Sequence, residues 1–251
     1  MYQFFVEDWQ VADSSVTIGG SDVNHIRNVL RMKAGEKVRI STSSGKNYFC
    51  RLSEIGEAMV QADILEELSE GTELPNKIYL FQGLPKGDKM ELIIQKMVEL
   101  GVYEIVPVAM KRCVVKLDAK KAAAKTARWQ GIAQAAAKQS RRAVVPRVQE
   151  VLGFQEALAY AEHMDVRLVP YEMEESLEGA TGMAGTRQII NQIAPGQSIA
   201  VFIGPEGGFE ADEIQAALDC GMKPVTLGRR ILRTETAGMT VMAWMMYRLE
   251  R

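Results

Sequence analysis

Residues 198–237 read SIAVFIGPEGGFEADEIQAALDCGMKPVTLGRRILRTETA, and their pattern indicates the fold class. A largely apolar run at 198–203 leads into a glycine-rich loop and a helical pattern at 211–220. A short strand at 224–227 then leads into a last helix at 235–249. Buried strands that alternate with helices are typical of an α/β protein with a mostly parallel sheet. We therefore expect this class for the C-terminal part of the chain.

The same alternation extends back to residue 77. Further strands are predicted at 77–82, 103–109, near Arg147 and at 166–170, and further helices at 88–100, 118–140 and 154–163. Asp88 and Glu91 are spaced as a capping box at the start of the first of these helices. We expect one α/β domain over 77–251.

The first 70 residues have a different pattern. Short strands are predicted at 2–7, 15–18, 36–42, 47–55 and 58–65, with a single helix at 22–31. This arrangement predicts a small N-terminal β-barrel over 1–70. The polar stretch 66–76, which contains Gly71 and Pro75, is the expected linker.

The composition excludes several protein classes. The chain has 251 residues, of which 47% are hydrophobic and 25% charged, which is ordinary for a globular protein. No apolar run approaches the roughly 18 residues that a membrane helix needs, and the N-terminus lacks the pattern of a signal peptide, so we expect no membrane association and a cytoplasmic protein. The three cysteines are far apart, and neither His25 nor His163 has metal-ligand spacing, so we expect no metal.

The charge is unevenly distributed along the chain. Residues 86–147 contain 14 Lys and Arg against 5 Asp and Glu, whereas 1–70 and 148–251 are acidic. A basic block between acidic flanks is typical of a protein that binds a polyanion, because Lys and Arg displace counterions from phosphates. A solvated, lysine-rich helix is the alternative.

Two loops near the C-terminus are candidates for ligand binding. The first, GPEGGF at 204–209, follows a strand, and its glycines allow the backbone to approach a ligand closely. It lacks the spacing of a Rossmann or P-loop motif, and Glu206 disfavours a phosphate, so a ligand with positive charge fits better. A plain tight turn is the alternative.

The second loop, LGRRILRTETA at 227–237, follows a strand and runs into a helix for which Thr234 is the expected cap. Its Arg, Thr and Glu residues offer a cation, a hydroxyl and a carboxylate at one helix start. A capped helix with an incidental ion pair is the alternative.

IGPEGGF at 203–209 and LGRRILRTETA at 227–237 closely resemble the motifs of the RsmE family of ribosomal RNA methyltransferases. The similarity continues at QGLPKGDKME (82–91), at QSR (139–141) and at HIRNVLRM (25–32), so it covers nearly the whole chain. This family belongs to the SPOUT superfamily. The resemblance therefore implies a knotted α/β domain with a deep trefoil knot, preceded by a PUA-like RNA-binding β-barrel.

The resemblance implies S-adenosylmethionine as methyl donor and N3 of a uridine in 16S ribosomal RNA as acceptor. The donor carries a sulfonium cation and no phosphate, which agrees with a glycine-lined loop that contains a carboxylate. The residues implied in cofactor binding are Ile203, Gly204, Pro205, Glu206, Gly207, Gly208, Leu227, Gly228, Ile231, Leu232 and Arg233.

The implied reaction has to remove the proton from uracil N3, because the protonated imide is a poor nucleophile. Glu235 is the candidate base, and Arg233 is the candidate cation that stabilises the developing anion. A solvent relay in which Glu235 only orders Arg233 is the alternative.

The implied RNA partner would be held by cations that contact phosphates. The candidates are Arg27, Arg31, Lys86, Lys89, Lys111, Arg112, Arg141 and Arg142. The last helix carries Met239, Met242 and Met246 among other apolar residues, which fits either a core helix or the interface of the homodimer that the superfamily implies. Two other functions stay open: a ribose 2′-O-methyltransferase of the same superfamily, and a non-catalytic ribosome-binding module.

Overall fold

The computed structural model describes residues 1–68, 71–171 and 182–250. Its contacts divide the chain into two compact units. The first contains the described residues of 1–73 together with 137–145, and the second those of 74–136 and 146–251. The predicted boundaries of 1–70 and 77–251 assign residues 137–145 to the α/β domain, whereas in the structure this segment packs with the first unit.

The first unit is built on one curled five-stranded sheet in the order β1-β3-β4-β5-β2. Its elements are β1 (Gln3–Val6), β2 (Ser15–Ile18), α1 (Ser21–Asn24), β3 (Lys37–Thr42), β4 (Asn47–Ile55) and β5 (Val60–Leu68). β1 pairs with β3 in parallel, and the other neighbours are antiparallel. Fully buried side chains such as Phe4, Ile40 and Leu52 form the core because they alternate with outward-facing residues along their strands.

Two local features of the first unit differ from the sequence-based expectation. The predicted helix at 22–31 is α1 followed by a wide π turn over His25–Val29, in which the Leu30 amide donates to the carbonyl of His25. β5 continues to Leu68 and so takes up the first part of the predicted linker at 66–76.

An ion pair between the buried Arg142 and the partly buried Glu73 ties residues 137–145 into the first unit. The Arg142 Nε donates to both carboxylate oxygens of Glu73 at 2.9 Å, and the Ala143 amide donates to the same carboxylate at 2.8 Å. Gln3 Nε2 donates to the carbonyl of Arg142 at 2.7 Å, and Lys138 pairs with Asp22. The expectation that Arg142 contacts RNA is therefore wrong, because its guanidinium is buried and already paired with a carboxylate.

The second unit contains the predicted parallel sheet, in the order β12-β10-β11-β6-β7-β8, with β9 also pairing with β7. Its elements are β6 (Lys77–Gly83), α2 (Lys89–Glu99), β7 (Glu104–Ala109), α3 (Ala119–Ser140), β8 (Arg147–Val148), β9 (Leu152–Gly153), α4 (Phe154–Ala161), β10 (Val166–Pro170), α5 (Gly182–Asn191), β11 (Ser198–Ile203), α6 (Ala211–Asp219), β12 (Lys223–Val225) and α7 (Thr234–Leu249). All recorded strand pairs of this sheet are parallel. The α/β class is confirmed, and the trefoil knot stays a prediction.

The centre of this sheet is apolar on both faces. β6 and β11 pair over six residues, and Phe81 stacks on its partner Phe202 with the ring centroids 4.3 Å apart. Helix α7 packs against α2. This pairing brings the carboxyl ends of β6 and β11 side by side.

The capping predicted at two helix starts differs from the structure. Asp88 is the N-cap of α2, but its side chain makes no capping hydrogen bond, and Glu91 pairs with Arg128 at 2.7 Å instead of closing a capping box. Thr234 is the first residue of α7 and not its cap. Helix α5 has no counterpart among the predicted elements.

The described ranges contain no candidate membrane span and no candidate metal site. None of the described helices is both long and apolar enough to cross a membrane. Among the same residues, no group of three His, Cys, Asp or Glu side chains could hold a metal ion.

We expect the Glu73→Gln substitution to destabilise the first unit by about 2–3 kcal/mol, because it removes a carboxylate that pairs with the buried Arg142 guanidinium. Urea unfolding of the whole chain, followed by circular dichroism, measures this loss. Asp63→Asn is the control, since it breaks a solvent-exposed pair with Arg51 and should cost less than about 1 kcal/mol. Equal losses in the two variants would contradict the assigned role.

Candidate active site

The two predicted ligand loops meet at the start of α7. The Thr234 hydroxyl donates to the carbonyl of Gly204 at 2.7 Å, so the end of the second loop is bonded to the start of the first. Gln82 Nε2, at the end of β6, donates to the same hydroxyl at 2.8 Å. β12 and β11 are separated by β10 in the sheet. The second loop therefore passes the carboxyl end of β10 before it reaches Gly204.

Glycine is required at several positions of the first loop because its backbone is closely packed. A Cβ atom on Gly83 would lie 2.7 Å from both the nitrogen and the Cδ of Pro205. A Cβ on Gly204 would lie 3.2 Å from backbone atoms of Gly208. The Gly208 amide donates to the carbonyl of Pro205 at 2.9 Å, and Gly208 has a positive φ of 69°. The loop is thus a compact turn that side chains would disrupt.

The carboxylate of Glu206 is held by the segment after β6. It accepts a hydrogen bond from the Lys86 amide at 3.1 Å and pairs with the Lys89 ammonium at 2.9 Å. Partial burial by itself would raise the pKa of Glu206, but the bonds from Lys89 and from backbone amides outweigh it and hold the pKa below its ordinary value. The same hydrogen bond to Glu206 raises the pKa of Lys89. Glu206 and Lys89 are therefore both charged at neutral pH.

Lys89 also approaches the candidate base. Its ammonium is 3.6 Å from Oε2 of Glu235. The Glu235 side chain is only 15% exposed, and Oε2 is buried with no hydrogen-bond partner in the described part of the chain. Arg233, the N-cap of α7, is exposed beside it in sequence. One ammonium thus balances carboxylates from both ligand loops.

The rest of the second loop is open. Gly228 has a φ of 99°, which a residue with a side chain rarely adopts. Leu227 and Leu232 are half-buried, whereas Ile231 is 84% exposed. The base of this loop is fixed by Thr186, whose hydroxyl bonds both the amide and the carbonyl of Thr226.

The predicted RNA-binding cations of the second unit differ in their environments. Arg112 donates to the carbonyl of Gly207 at 2.8 Å and pairs with Glu210, so it holds the first loop in place. Lys111 pairs with Asp212. Lys89 is engaged as described above, and Lys86 is exposed.

In the first unit, Arg27 is half-buried, and Arg31 and Arg141 are exposed. Arg31 and Arg141 have positive φ values of 52° and 59°, respectively. All three residues are accessible to solvent, so they stay predicted phosphate contacts, whereas Arg142 is buried.

A cleft of about 370 Å³ opens at the carboxyl ends of β7 and β9. It is lined by Ala109, Lys111, Gly153, Phe154, Gln155, Glu156, Asp212 and Glu213. Its charged groups have partners within the protein: Lys111 pairs with Asp212, and Glu156 and Glu213 cap their own helices. None of the predicted cofactor-binding residues lines this cleft.

Three residues of the site, Gln82, Lys89 and Arg112, have contacts that the sequence does not predict. Gln82 was quoted only as part of a motif, and the signal that could have identified it is an amide at the end of an otherwise apolar strand. Lys89 and Arg112 were assigned to RNA alone, since a sequence does not show whether a cation faces a phosphate or a carboxylate.

We expect Gly83→Ala to destabilise the protein by about 1–3 kcal/mol, because the added methyl group overlaps Pro205 and forces the loop to move. Gly131→Ala is the control: it lies in α3, a Cβ there meets nothing within 4 Å, and alanine favours the helix. Thermal and urea unfolding of the two variants measure the difference. A Gly83→Ala protein as stable as wild type would show that the close packing is not needed.

Comparison with known proteins identifies the two units. An RNA methyltransferase domain matches residues 72–246, and an RNA methyltransferase PUA domain matches residues 18–65. The chain is 38% identical to ribosomal RNA small subunit methyltransferase E of Bacillus subtilis over 253 aligned residues, which cover 100% of this chain and 98% of the relative. It is 33% identical to the protein of the same name from Mesomycoplasma hyopneumoniae, with 95% and 96% covered.

A solved structure gives the same result. The ribosomal RNA small subunit methyltransferase E of Neisseria gonorrhoeae, bound to S-adenosyl methionine, superposes with a TM-score of 0.82 at 35% identity, covering 98% of this chain and 96% of that chain. The full-length matches, together with the two family domains, show that this chain belongs to the ribosomal RNA small subunit methyltransferase E family.

Proposed function

We propose that this protein transfers the methyl group of S-adenosylmethionine to N3 of a uridine in 16S ribosomal RNA of the small subunit. The observation that carries the proposal is the hydrogen bond from Thr234 to Gly204, which joins the two glycine-bearing loops at one helix start. The names of the relatives and the donor bound to the gonococcal protein support it.

The chemistry of the loops fits the donor. The first loop itself carries a carboxylate, that of Glu206, which would repel a phosphate group. The donor supplies a methyl group on a positively charged sulfur, which this carboxylate favours. The residues proposed to hold it are Ile203, Gly204, Pro205, Glu206, Gly207, Gly208, Leu227, Gly228, Ile231, Leu232 and Arg233.

Proton removal from uracil is assigned to Glu235. A carboxylate can accept the N3 proton, and Oε2 of Glu235 has no hydrogen-bond partner in the described structure, where its charged neighbour is Lys89 at 3.6 Å. The Lys89 ammonium lies within 4 Å of both Glu206 and Glu235 and so reduces the repulsion between these two carboxylates. Arg233, next to Glu235 and exposed, is proposed to bind the uracil carbonyl oxygens as negative charge develops.

RNA binding is proposed to use the cations of each unit separately. Arg27, Arg31 and Arg141 belong to the PUA unit, and Lys86 belongs to the methyltransferase unit. Each of Lys89, Lys111 and Arg112 is already paired with a carboxylate. To contact RNA, each would have to leave that carboxylate and bind a phosphate. These contacts position the RNA, and the target is selected by its shape and by an unstacked base.

A homodimer is part of the proposal. Helix α7 buries Val241, Met242 and Met245, but Tyr247 on its other side is 90% exposed, and Met239 and Met246 are only half-buried. An apolar helix face that is left open is typical of a subunit interface. We also propose that the protein acts in the cytoplasm, where ribosomal RNA is modified.

Methyl transfer is tested with donor that carries a labelled methyl group. We expect the protein to label unmodified small subunits or naked ribosomal RNA, and nucleoside analysis with mapping to yield N3-methyluridine at one position. A 2′-O-methylated product would instead support the alternative reaction. A protein that binds donor but labels neither substrate would refute the ribosomal assignment.

The catalytic assignment predicts that Glu235→Gln lowers kcat by about 10²–10⁴-fold, because the amide cannot accept the proton. Donor affinity, measured by calorimetry, should change little. Arg233→Ala should lower kcat by about 10²-fold through weaker anion stabilisation. Glu250→Gln, just after the end of α7, is the control. Near-normal turnover of Glu235→Gln would assign proton removal to solvent.

A further inference from the structure

Gln82 is a polar residue at a position where an apolar one would pack. It lies near the end of β6, is fully buried, and follows the apolar residues Ile78, Leu80 and Phe81. Its amide nitrogen donates to the carbonyl of Gly83 at 3.0 Å and to the Thr234 hydroxyl at 2.8 Å. Gln82 therefore connects its own strand to the start of α7.

The direction of these hydrogen bonds is fixed. The Gly83 carbonyl can only accept, so the amide nitrogen of Gln82, and not its oxygen, faces it. The Thr234 hydroxyl has one proton, which it donates to the carbonyl of Gly204, and it accepts from Gln82. The three groups thus form a one-way chain of donors that ends on the first residue of the loop.

Packing also holds the start of the loop at Gly204. The next residue is Pro205, which has no amide proton, and Pro205 packs on Gly83 at a distance that only glycine allows. The end of β6 therefore fixes the start of the loop in two ways, by packing and through the Gln82–Thr234 hydrogen bonds. Both side chains are buried, so they act on a bound ligand through Gly204 and not directly.

The oxygen of the Gln82 side-chain amide indicates that this residue has a role besides stabilising the fold. Its Oε1 is buried and has no hydrogen-bond partner among the described residues. An unpaired buried oxygen costs free energy that methionine, with a similar shape, would avoid. The benefit that offsets this cost lies in the bonds of the amide nitrogen, and those bonds lead to the loop.

We infer that Gln82 and Thr234 are positioning residues, which hold the loop of residues 204–208 in the conformation that binds the methyl donor. A loop that is already ordered loses less entropy when a ligand binds, and its affinity is higher for that reason. This inference rests on the proposed function, because it takes S-adenosylmethionine as the ligand of the loop.

The first test uses Thr234→Val, which keeps the shape of the side chain and removes the hydroxyl. We expect the dissociation constant for S-adenosylmethionine, measured by calorimetry, to rise about tenfold, in line with the loss of a buried hydrogen bond. Thr234→Ser keeps the hydroxyl and should bind within about twofold of wild type. Thr240→Val is the control, since among the described residues that hydroxyl bonds the carbonyl of Thr236 in the same helix.

The second test uses Gln82→Met and separates positioning from folding. We expect donor binding to weaken about tenfold while the melting temperature without donor stays the same or rises, because the unpaired oxygen is removed. A role in stability alone would lower the melting temperature and leave donor affinity unchanged.

The outcomes distinguish this inference from the function on which it rests. Wild-type affinity in both Thr234→Val and Gln82→Met overturns the inference alone. Thr234→Ser binding as weakly as Thr234→Val would assign the effect to packing and also overturn it. A wild-type protein that does not bind S-adenosylmethionine overturns the proposed function and the inference together.

Discussion

The pairing of β6 with β11 is the constraint on which the candidate site depends. The two strands run in parallel over six residues at the centre of an apolar sheet, so both end at the same edge. Gln82 and Gly204 follow from that register, because they lie at or just beyond the paired ends. The hydroxyl of Thr234, at the start of α7, bonds both Gln82 and Gly204 and so connects the two strand ends to that helix. The geometry of the loop at 204–208 is therefore set by two buried strands.

The site also depends on the balance of charge between two carboxylates and one ammonium. Glu206 and Glu235 come from different loops, and a single ammonium, that of Lys89, lies within 4 Å of both. Without it, two carboxylates beside an apolar sheet would repel each other. A basic residue that looks like a phosphate contact in the sequence is thus part of the internal electrostatics of the site. Arg112 has a similar role on the outer side of the same loop.

Much of the fold could be predicted because its strands are continuous apolar runs. β10 and β11 lie where the pattern places them, and the ends of α3 and α7 agree within one residue. The sequence analysis does not predict helix α5, whose sequence, GMAGTRQIIN, contains two glycines, and glycine disfavours a helix. Asp88 is the N-cap of α2 as predicted, but the predicted capping box is wrong, because Asp88 is not in the extended conformation that an N-cap usually adopts and Glu91 pairs with Arg128.

The sequence predicts which loops form the candidate site, but it does not predict which side chains contact each other there. Glycine-rich segments at strand ends can be read from spacing, since the requirement for glycine is local. Which carboxylate pairs with Lys89 or Arg142 depends on residues far away in the sequence, and no local pattern records it. Gln82 illustrates the same limit, because its partner is 152 residues away.

The ion pair between Arg142 and Glu73 has a consequence for synthesis on the ribosome. The PUA unit begins at the N-terminus, but its last segment, residues 137–145, is translated only after the first strands of the methyltransferase unit. Glu73 is therefore synthesised before its partner Arg142, and more than sixty residues are added to the chain in between. Co-translational folding of this chain cannot proceed strictly unit by unit, and completion of the first unit is delayed until part of the second has already emerged from the exit tunnel.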